Sequence, residues 1–247
     1  MVRAKSPSHH ILQRRTSHLR ERVPVLMPFL RGSHELLARR IGIEKLPHII
    51  ASEGRLGRKR VAIVNPGFGA PAAVLTFEET FRRGYRDFLF LGACGGLSKD
   101  SRIGDIILPV EAISEEGTSP LYTTSGPRFE ANAELATLLE SVAKDMGTEV
   151  RRGLVWTTDA PYMETPGKIK KYRRRGAIGV DMETSALFAV AKLRKARVAG
   201  LLVVSDLLHD EWIVGWNRKA YRIAEDRALN VFMGAATRLG SSKKGEF

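Results

Sequence analysis

Short apolar runs alternate with helical patterns along almost the whole chain, and this alternation limits the possible folds more than any other feature of the sequence. Arg60–Val64, Phe88–Leu91 and Val198–Val204 are three of the predicted strands. Between them, Asn132–Met146 places leucine and valine at the i, i+3, i+4, i+7 spacing of an amphipathic helix. Strands that are apolar along their length, rather than alternately, are buried on both faces, so helices are expected on both sides of one sheet.

The complete pattern predicts a single domain. The predicted strands are Val23–Leu30, Arg60–Val64, Phe88–Leu91, Asp105–Pro109, Gly153–Trp156, Gly176–Val180 and Val198–Val204. The predicted helices are Ser33–Ile41, Pro71–Phe81, Asn132–Met146, a segment through Ala186–Leu193, and Arg218–Leu239. We therefore expect an α/β domain over residues 22–240, with a central mixed and largely parallel sheet flanked by helices, preceded by a basic arm at 1–21.

Composition excludes several classes of protein. Of the 247 residues, 43% are hydrophobic and 27% charged, which is the balance of a globular chain and not of a disordered one. The longest apolar runs are far shorter than the roughly 20 residues of a membrane span, and no apolar signal segment stands near the start. A single cysteine excludes an internal disulfide. These features predict a soluble, cytoplasmic protein without a membrane partner.

The net charge of +13 concerns partners rather than fold. It suits an anionic small ligand, and it leaves nucleic-acid binding through the arm as a secondary hypothesis. Aromatic residues are only 7% of the chain and do not interleave the arm, so a stacking surface for single strands is not expected.

Four ends of predicted strands carry residues suited to a ligand. Two are glycine loops, Gly67-Phe68-Gly69 and Gly92–Gly96, and two are acidic, Asp181-Met182-Glu183 and Ser205-Asp206. In sheets of this kind, ligands bind beyond the carboxyl ends of the strands. Glycine lets a ligand approach the backbone, and carboxylates accept hydrogen bonds from sugar hydroxyls or exchange protons. The combination predicts a site for a polyol or a nucleoside-like ligand.

Each of these features also has another interpretation. Gly67–Ala72 fits the G-x-G-x-x-A pattern of a dinucleotide site, so a dinucleotide oxidoreductase is an alternative. Asp181 and Glu183 are also residue types that commonly occupy the N-cap and the first turn of a helix. Cys94 is interpreted as a packed thiol. His209 has no second histidine at ligand spacing and there is no C-x-x-C, so no metal site is expected.

Several motifs in order resemble those of the purine nucleoside/uridine phosphorylase family. They are Gly67–Pro71 for its G-x-G-x-P loop, Leu91–Leu97 with Gly104–Ile107 for its G-(S/T)-x-G-G-x and G-D segment, Glu115–Ser119 for its E/D-G-x-S loop, Val180–Thr184 for its V-(E/D)-M-E-(A/T) signature, and Val204–Asp206 for the V-S-D of its purine-acting branch. The resemblance extends over about residues 23–238. It implies one α/β domain of the phosphorylase/hydrolase type and a homo-oligomer, which is a dimer, trimer or hexamer in that family.

The resemblance also implies a reaction and roles for residues. The family cleaves the N-glycosidic bond of a nucleoside, with phosphate in the phosphorylases and with water in the hydrolase branch. Glu183 is expected to accept hydrogen bonds from the ribose hydroxyls and Met182 to pack against the sugar. Asp206 is expected to protonate the leaving purine, and Arg218 to orient that aspartate.

Other positions complete the implied site. Asp181 is expected among the substrate-binding residues, Gly95 and Thr158 in the base pocket, and Phe68 and Ala93 beside the ligand. No cofactor other than the co-substrate phosphate is implied.

The implied phosphate subsite departs from the family pattern. Phe90 stands where those phosphorylases have an arginine, and Ala93 replaces a serine or threonine that contacts phosphate. Arg31 and Gly32 are the remaining candidates for phosphate binding. The sequence thus predicts phosphorolysis of a nucleoside, with a purine favoured by Ser205-Asp206. A nucleosidase using water, a uridine phosphorylase-like enzyme and a noncatalytic nucleoside-binding protein remain alternatives.

Overall fold

The computed structural model of the chain describes residues 23–30, 32–44, 50–123, 126–209 and 211–239. The strands in these ranges are β1 Val25–Pro28, β2 Ser52–Leu56, β3 Lys59–Ile63, β4 Asp87–Gly96, β5 Ile106–Ser114, β6 Arg128–Glu130, β7 Arg151–Thr157, β8 Ala177–Asp181, β9 Arg197–Leu208 and β10 Trp212–Val214. The helices are α1 Ser33–Arg40, α2 Ala70–Arg82, α3 Ser119–Tyr122, α4 Ala133–Asp145, α5 Pro166–Arg174, α6 Thr184–Arg194 and α7 Lys219–Leu239, and Pro161–Met163 forms a 3₁₀ turn. The predicted arm 1–21 and Arg31 lie outside the described residues.

One mixed sheet joins these strands, and part of it closes on itself. The order is β10-β9-β5-β7-β8-β4-β1-β3-β2, and β9 also pairs with β4, so that β4, β9, β5, β7 and β8 form a closed ring. The expectation of a mixed sheet is confirmed. The expectation that it is largely parallel is wrong, because five of the ten strand pairings among the described residues are antiparallel. One physical reason is the connection 97–105, which contains no helix and turns the chain back from β4 into β5.

Helices cover both faces of the sheet, as the continuous apolar strands predict. On one side, α2 and α6 contribute Phe77 and Leu187 to a core with Phe88 and Phe90 of β4. On the other side, α1, α4 and α7 form a second core around residues such as Phe232. A strand buried on both faces holds apolar residues at successive positions, which explains why these strands lack polar alternation.

The predicted helices are found within one or two residues of their expected bounds, and local signals explain why. Asn132 caps α4, its side-chain oxygen accepting from the backbone N–H of Leu135 at 3.0 Å.

Helix α5 was not predicted. This helix buries only Ile169 and Tyr172, and two apolar positions are too few to show a helical period. Its local start signals are present, since Thr165 caps the helix and Pro166 occupies its first turn.

Two strands extend further than the sequence indicates, and both extensions reach the candidate site. The glycine segment Gly92–Gly96, predicted as a loop, belongs to β4, and Ser205-Asp206, predicted at a strand end, belongs to β9. Their register shifts within this stretch, since Cys94 pairs with Val204 and Gly95 with Asp206. Ser205 is thus an extra residue in β9. A bulge of this kind bends the strand and re-aims the side chains beside it.

Candidate active site

A cavity of about 590 Å³ lies beside the last residues of β4 and β8 and the second half of β9. These three strands are neighbours in the closed ring. The cavity brings together the two groups on which the sequence prediction depended, the carboxyl groups of Glu183 and Asp206, although their positions are 23 residues apart in the chain. Asp181, Met182, Phe68, Gly95 and Ala93 line the same cavity.

Glu183 stands immediately before α6, with its side chain directed away from the helix and only 8% exposed. Its Oε1 accepts a hydrogen bond from the backbone N–H of Gly69 at 2.8 Å. Gly69 adopts a φ of 82°, a backbone region that suits glycine, and this conformation presents its N–H to the carboxylate. Burial, together with the charge of Asp181, raises the pKa of Glu183 to about 8.

Hydrogen bonds from Thr157 and from the turn that follows β8 hold the carboxylate of Asp181 in place. Its oxygens accept from the hydroxyl of Thr157 at 2.7 Å and from the backbone N–H and hydroxyl of Thr184 at 2.8 and 2.5 Å, with a longer bond from the N–H of Glu183. The residue is 5% exposed, and burial raises its pKa against the opposing effect of these bonds. These contacts fix the turn that carries Glu183, so the structure gives Asp181 a positioning role in addition to its place in the lining.

Asp206 reaches the cavity from the bulged part of β9. Its Oδ2 accepts from the indole N–H of Trp212 at 2.8 Å, and its Oδ1 lies 2.7 Å from the hydroxyl of Ser205. Opposite it, a Cβ on Gly95 would lie 2.8 Å from Leu208 and 3.4 Å from Oδ2 of Asp206. A side chain at position 95 would therefore displace the side chain of Leu208 and touch the carboxylate of Asp206.

Glu164 is a fourth carboxyl group in the cavity lining, and the sequence analysis did not identify it. It follows the 3₁₀ turn before α5, and no motif marks it. Partial burial and the charges of Asp206 and Glu115 raise the pKa of Glu164 to about 7, whereas Lys168 opposes the change. Lys168 in turn forms an ion pair with Glu115 at 3.1 Å. A carboxyl group that titrates near neutral pH in a cleft is suited to proton exchange or to hydrogen bonding in either direction.

The raised pKa of Glu164 predicts a dependence of stability on pH. The unfolded chain releases this proton near the ordinary value of 4.5 and the folded protein near 7, so the folded state binds more protons between these values. The contribution of Glu164 to the free energy of unfolding should therefore fall as the pH rises from about 4.5 to 7 and stay level above. Glu164→Gln should be more stable relative to wild type at pH 8 than at pH 5, measured by urea unfolding.

A matched control for this prediction is Glu140→Gln. Glu140 is an exposed residue of α4 that pairs with Arg152, away from the cavity. The control should show no such change between the two pH values, and a difference for Glu164→Gln that is the same at pH 5 and pH 8 would contradict the prediction.

Two of the predicted site residues are not brought to the cavity. Thr158 is buried behind the wall, where its backbone N–H bonds to the carbonyl oxygen of Asp181 at 3.0 Å. Arg218 lies exposed just before α7 and is not in the cavity lining. Among the described residues, the Asp206 carboxylate accepts hydrogen bonds from the hydroxyl of Ser205 and the indole N–H of Trp212, and not from Arg218.

The phosphate candidates likewise lie elsewhere. Gly32 stands before α1 and lines a separate, smaller cleft, and Arg31 lies outside the described residues. Phe90 is a core residue, with its ring over the position that a Cβ of Gly200 would occupy.

No lysine or arginine is among the described residues that line the cavity. The neighbouring Arg173 donates instead to the carbonyl oxygens of Leu97 and Leu208, at 2.7 and 3.0 Å, and so ties β4 to β9.

Aromatic side chains complete the cavity wall, and of these the sequence analysis identified only Phe68. They are Phe29, Phe68, Tyr162, Trp212 and Trp216. The two indoles contact each other, with ring centroids 5.7 Å apart. The exposed fractions of Phe68, Tyr162, Trp212 and Trp216 range from 49% to 100%, so a flat heterocycle that entered the cavity would bury aromatic surface.

The described part of the chain holds neither a metal cluster nor a helix that could span a membrane. No group of three or more histidine, cysteine, aspartate or glutamate side chains there could hold a metal ion. In the same ranges, every helix is too short or too polar to cross a bilayer.

Comparison with known proteins gives consistent matches. The family model described as phosphorylase superfamily matches residues 40–236. A guanosine phosphorylase from Halorubrum lacusprofundi is 28% identical over 193 residues, which cover 72% of this chain and 76% of the relative. A DeoD-type purine nucleoside phosphorylase from Shewanella baltica is 29% identical over 162 residues, or 64% of this chain and 68% of that protein. In fold, the chain resembles the purine nucleoside phosphorylase of Toxoplasma gondii in complex with immucillin-H, with a TM-score of 0.78, 21% identity, and coverage of 89% and 92% of the two chains.

Proposed function

Because the chain belongs to the phosphorylase superfamily, we propose that it cleaves the N-glycosidic bond of a purine nucleoside with phosphate, giving the free base and a pentose 1-phosphate. The activity named for its relatives, phosphorolysis of guanosine and of purine nucleosides, supports this assignment. In enzyme class the protein is then a pentosyltransferase.

The observation that carries the proposal is the meeting of Glu183 and Asp206 in one cavity. Cleavage of the bond between C1′ and the base nitrogen develops positive charge on the ribosyl group and negative charge on the base. The enzyme must stabilise the first and neutralise the second. Carboxyl groups from two separate segments, the turn between β8 and α6 and the bulged part of β9, reach one space of about 590 Å³ and supply a group for each task.

The ribosyl group belongs beside Glu183. The backbone N–H groups of Gly69 and Met182 hold its carboxyl group, and the remaining lone pairs of the two oxygens can accept hydrogen bonds from the sugar hydroxyls. Its negative charge then lies near the carbon that becomes positive in the transition state, where electrostatic stabilisation is strongest in a site that excludes water.

The base belongs beside Asp206. In its protonated form, Asp206 transfers a proton to the departing purine at N7, so that the electron pair of the broken bond leaves on a neutral base. Trp212 and Ser205 hold the carboxyl group in place for this transfer. Phosphate then forms the new bond to C1′ through one of its oxygens.

The ligands of phosphate are proposed to come from outside the described lining. A dianion needs charge-assisted bonds, and the described lining has no cation to make them. Arg31 of the same chain is one source, and a second copy of the chain in a homo-oligomer is another. Exposed apolar side chains at the mouth of the cavity, such as Phe68 and Trp212, support an oligomer in which this rim is covered.

The test is a product assay with guanosine, adenosine and uridine, each incubated with and without phosphate. We expect guanine or adenine together with ribose 1-phosphate, formed only when phosphate is present. Free ribose at equal rates with and without phosphate would assign the hydrolase reaction instead. Binding of nucleosides without any product would leave only a binding protein.

A further inference from the structure

We propose that Glu116 is a positioning residue of the candidate active site. Its buried carboxylate holds the start of α6 through the hydroxyl of Ser185, and this contact keeps the side chain of Glu183 at the place of the sugar. The inference rests on the proposed function and deepens it. Neither Glu116 nor Ser185 is among the described residues that line the cavity, and the segment Glu115–Ser119, singled out in the sequence, has no role in the site as described so far.

The first observation is the burial of the Glu116 side chain. This residue follows β5 and is only 2% exposed, which is rare for a glutamate. Among the described residues, no lysine, arginine or histidine forms an ion pair with it. A buried carboxylate without a cation needs hydrogen bonds in place of the water that it has lost. The donors that supply these bonds therefore show what the carboxylate holds in place.

Four donors surround the two oxygens of Glu116. Its Oε2 accepts from the backbone N–H groups of Thr118 at 2.6 Å and Ser119 at 2.9 Å. Its Oε1 accepts from the hydroxyls of Ser114 at 2.8 Å and Ser185 at 2.9 Å. The first three donors belong to the loop around Glu116 itself, but Ser185 is the second residue of α6 and lies 69 positions along the chain. Glu116 thus joins the loop after β5 to the start of α6.

A second set of hydrogen bonds continues from Ser185 to the turn that carries Glu183. The backbone N–H of Ser185 donates to Oγ1 of Thr157 at 3.0 Å, and the Thr157 hydroxyl donates to Oδ1 of Asp181 at 2.7 Å. The other oxygen of Asp181 accepts from the N–H of Glu183 at 3.3 Å. Ser185 is therefore held by its N–H on one side and by Glu116 on the other, two residues from Glu183. Ser185 and Thr157 are both 0% exposed, so water does not replace these bonds.

The start of α6 needs this support because Glu183, its N-cap residue, does not cap it. The side chain of Glu183 makes no capping hydrogen bond and instead meets the N–H of Gly69 at 2.8 Å. The first N–H groups of a helix have no partner within the helix, and here Asp181 and Thr157 accept from them. Glu116 adds the contact that fixes the same turn from the opposite side. A displaced first turn would move the Glu183 carboxylate, and a misplacement of about 1 Å in an active site lowers the rate by about 100-fold.

Ser185→Ala tests the link directly, because it removes the hydroxyl that Glu116 binds and leaves the cavity lining as it is. The value of kcat/KM for guanosine should fall by about 10-fold to 100-fold. The affinity for guanine should be unchanged, since only the contact with the sugar is displaced. The control is Thr80→Val, which removes a buried hydroxyl of α2 that donates to the carbonyl oxygen of Thr76 at 2.7 Å, outside the lining. It should change neither quantity.

The contacts of Glu116 also provide a conservative variant. One oxygen receives only N–H groups and the other only hydroxyls, and a hydroxyl accepts as well as it donates. In Glu116→Gln the amide oxygen can therefore accept from both N–H groups while the amide nitrogen donates to both hydroxyls. This variant should keep most of kcat/KM for guanosine, whereas Glu116→Ala should lose as much as Ser185→Ala. An equal loss in Glu116→Gln and Glu116→Ala would assign the effect to charge and overturn the positioning role.

A double-mutant cycle tests whether Ser185 acts through Glu183. When Glu183 is replaced by alanine, no carboxylate remains to be positioned. In the Glu183→Ala background, Ser185→Ala should therefore lower kcat/KM by less than about 3-fold, because residues that act on one contact have non-additive effects. The same loss in both backgrounds would show that Ser185 does not act through Glu183 and would overturn the inference.

Equilibrium binding of guanosine and guanine separates the inference from the proposed function, because it requires no turnover. Weaker binding of guanosine alone by Ser185→Ala would support the positioning role even if the wild-type protein formed no product, and then only the proposed reaction would fail. A folded Ser185→Ala protein with wild-type cleavage and wild-type binding would overturn the inference alone. A wild-type protein that bound no nucleoside would remove both proposals.

Discussion

Asp206→Asn should lower kcat/KM for guanosine by about 100-fold to 10,000-fold, which is the usual contribution of a general acid. An asparagine cannot transfer the proton that a neutral purine needs as it leaves. The amide oxygen still accepts a hydrogen bond from Trp212 or Ser205, so the site should keep its shape. Steady-state kinetics measure the loss, and the loss should appear in kcat more than in KM because the proton moves only in the transition state.

The control for this variant is Asp145→Asn. Asp145 ends α4 and pairs with Arg238 at the surface, outside the cavity lining. It should have wild-type kinetics, and thermal unfolding of Asp206→Asn should match that of wild type. Unchanged guanosine turnover in a folded Asp206→Asn protein would remove Asp206 from the mechanism.

Glu183→Ala should weaken the binding of nucleoside by about 10-fold to 150-fold, the equivalent of one hydrogen bond to a charged group, which is worth about 1.5–3 kcal/mol. The free base should bind as before, because Glu183 is proposed to contact the sugar only. Equilibrium binding of guanosine and of guanine to the variant gives the comparison directly. The rate of cleavage should fall further than binding does, since the carboxylate also faces the developing charge on the ribosyl group.

The comparison needs a second substitution, because Glu183 also accepts from the N–H of Gly69 and its loss frees a buried donor. Glu183→Gln keeps that bond and the size of the side chain but not the charge. It should retain most of the nucleoside affinity and lose most of the rate. A variant that loses guanine and guanosine binding to the same extent would show that Glu183 shapes the cavity rather than recognising the sugar.

These two residues illustrate how far motifs can be trusted in this chain. Glu183 and Asp206 were identified from short segments after apolar strands, and the structure places both in one cavity. The family resemblance implies an orienting role for Arg218, but the structure places this residue outside the cavity lining. The partner that Asp206 has instead, Trp212, comes from the short strand β10 that the sequence analysis did not predict.

Glu164 shows a different limit of sequence reasoning. Its position after a 3₁₀ turn has no motif and no period, and its importance comes from neighbours distant in the chain. Burial raises the pKa of Glu164, and the charges of Asp206 and Glu115, which are 42 and 49 residues away in sequence, raise it further. Electrostatic effects of this kind depend on distances across the fold, which composition and spacing do not contain.

The sequence by itself determined the alternation of strands and helices, the burial of the sheet on both faces, and the identity of the acidic and glycine segments, because these depend on the period and chemistry of neighbouring residues. Only the tertiary structure decided that β4, β5, β7, β8 and β9 close into a ring, and that Ser205 forms a bulge which turns Asp206 towards Glu183. Ring closure and strand register are fixed by pairings between residues far apart in the chain, such as Gly95 with Asp206. The pattern of neighbouring residues in the sequence does not show which of these distant pairings has the lowest free energy.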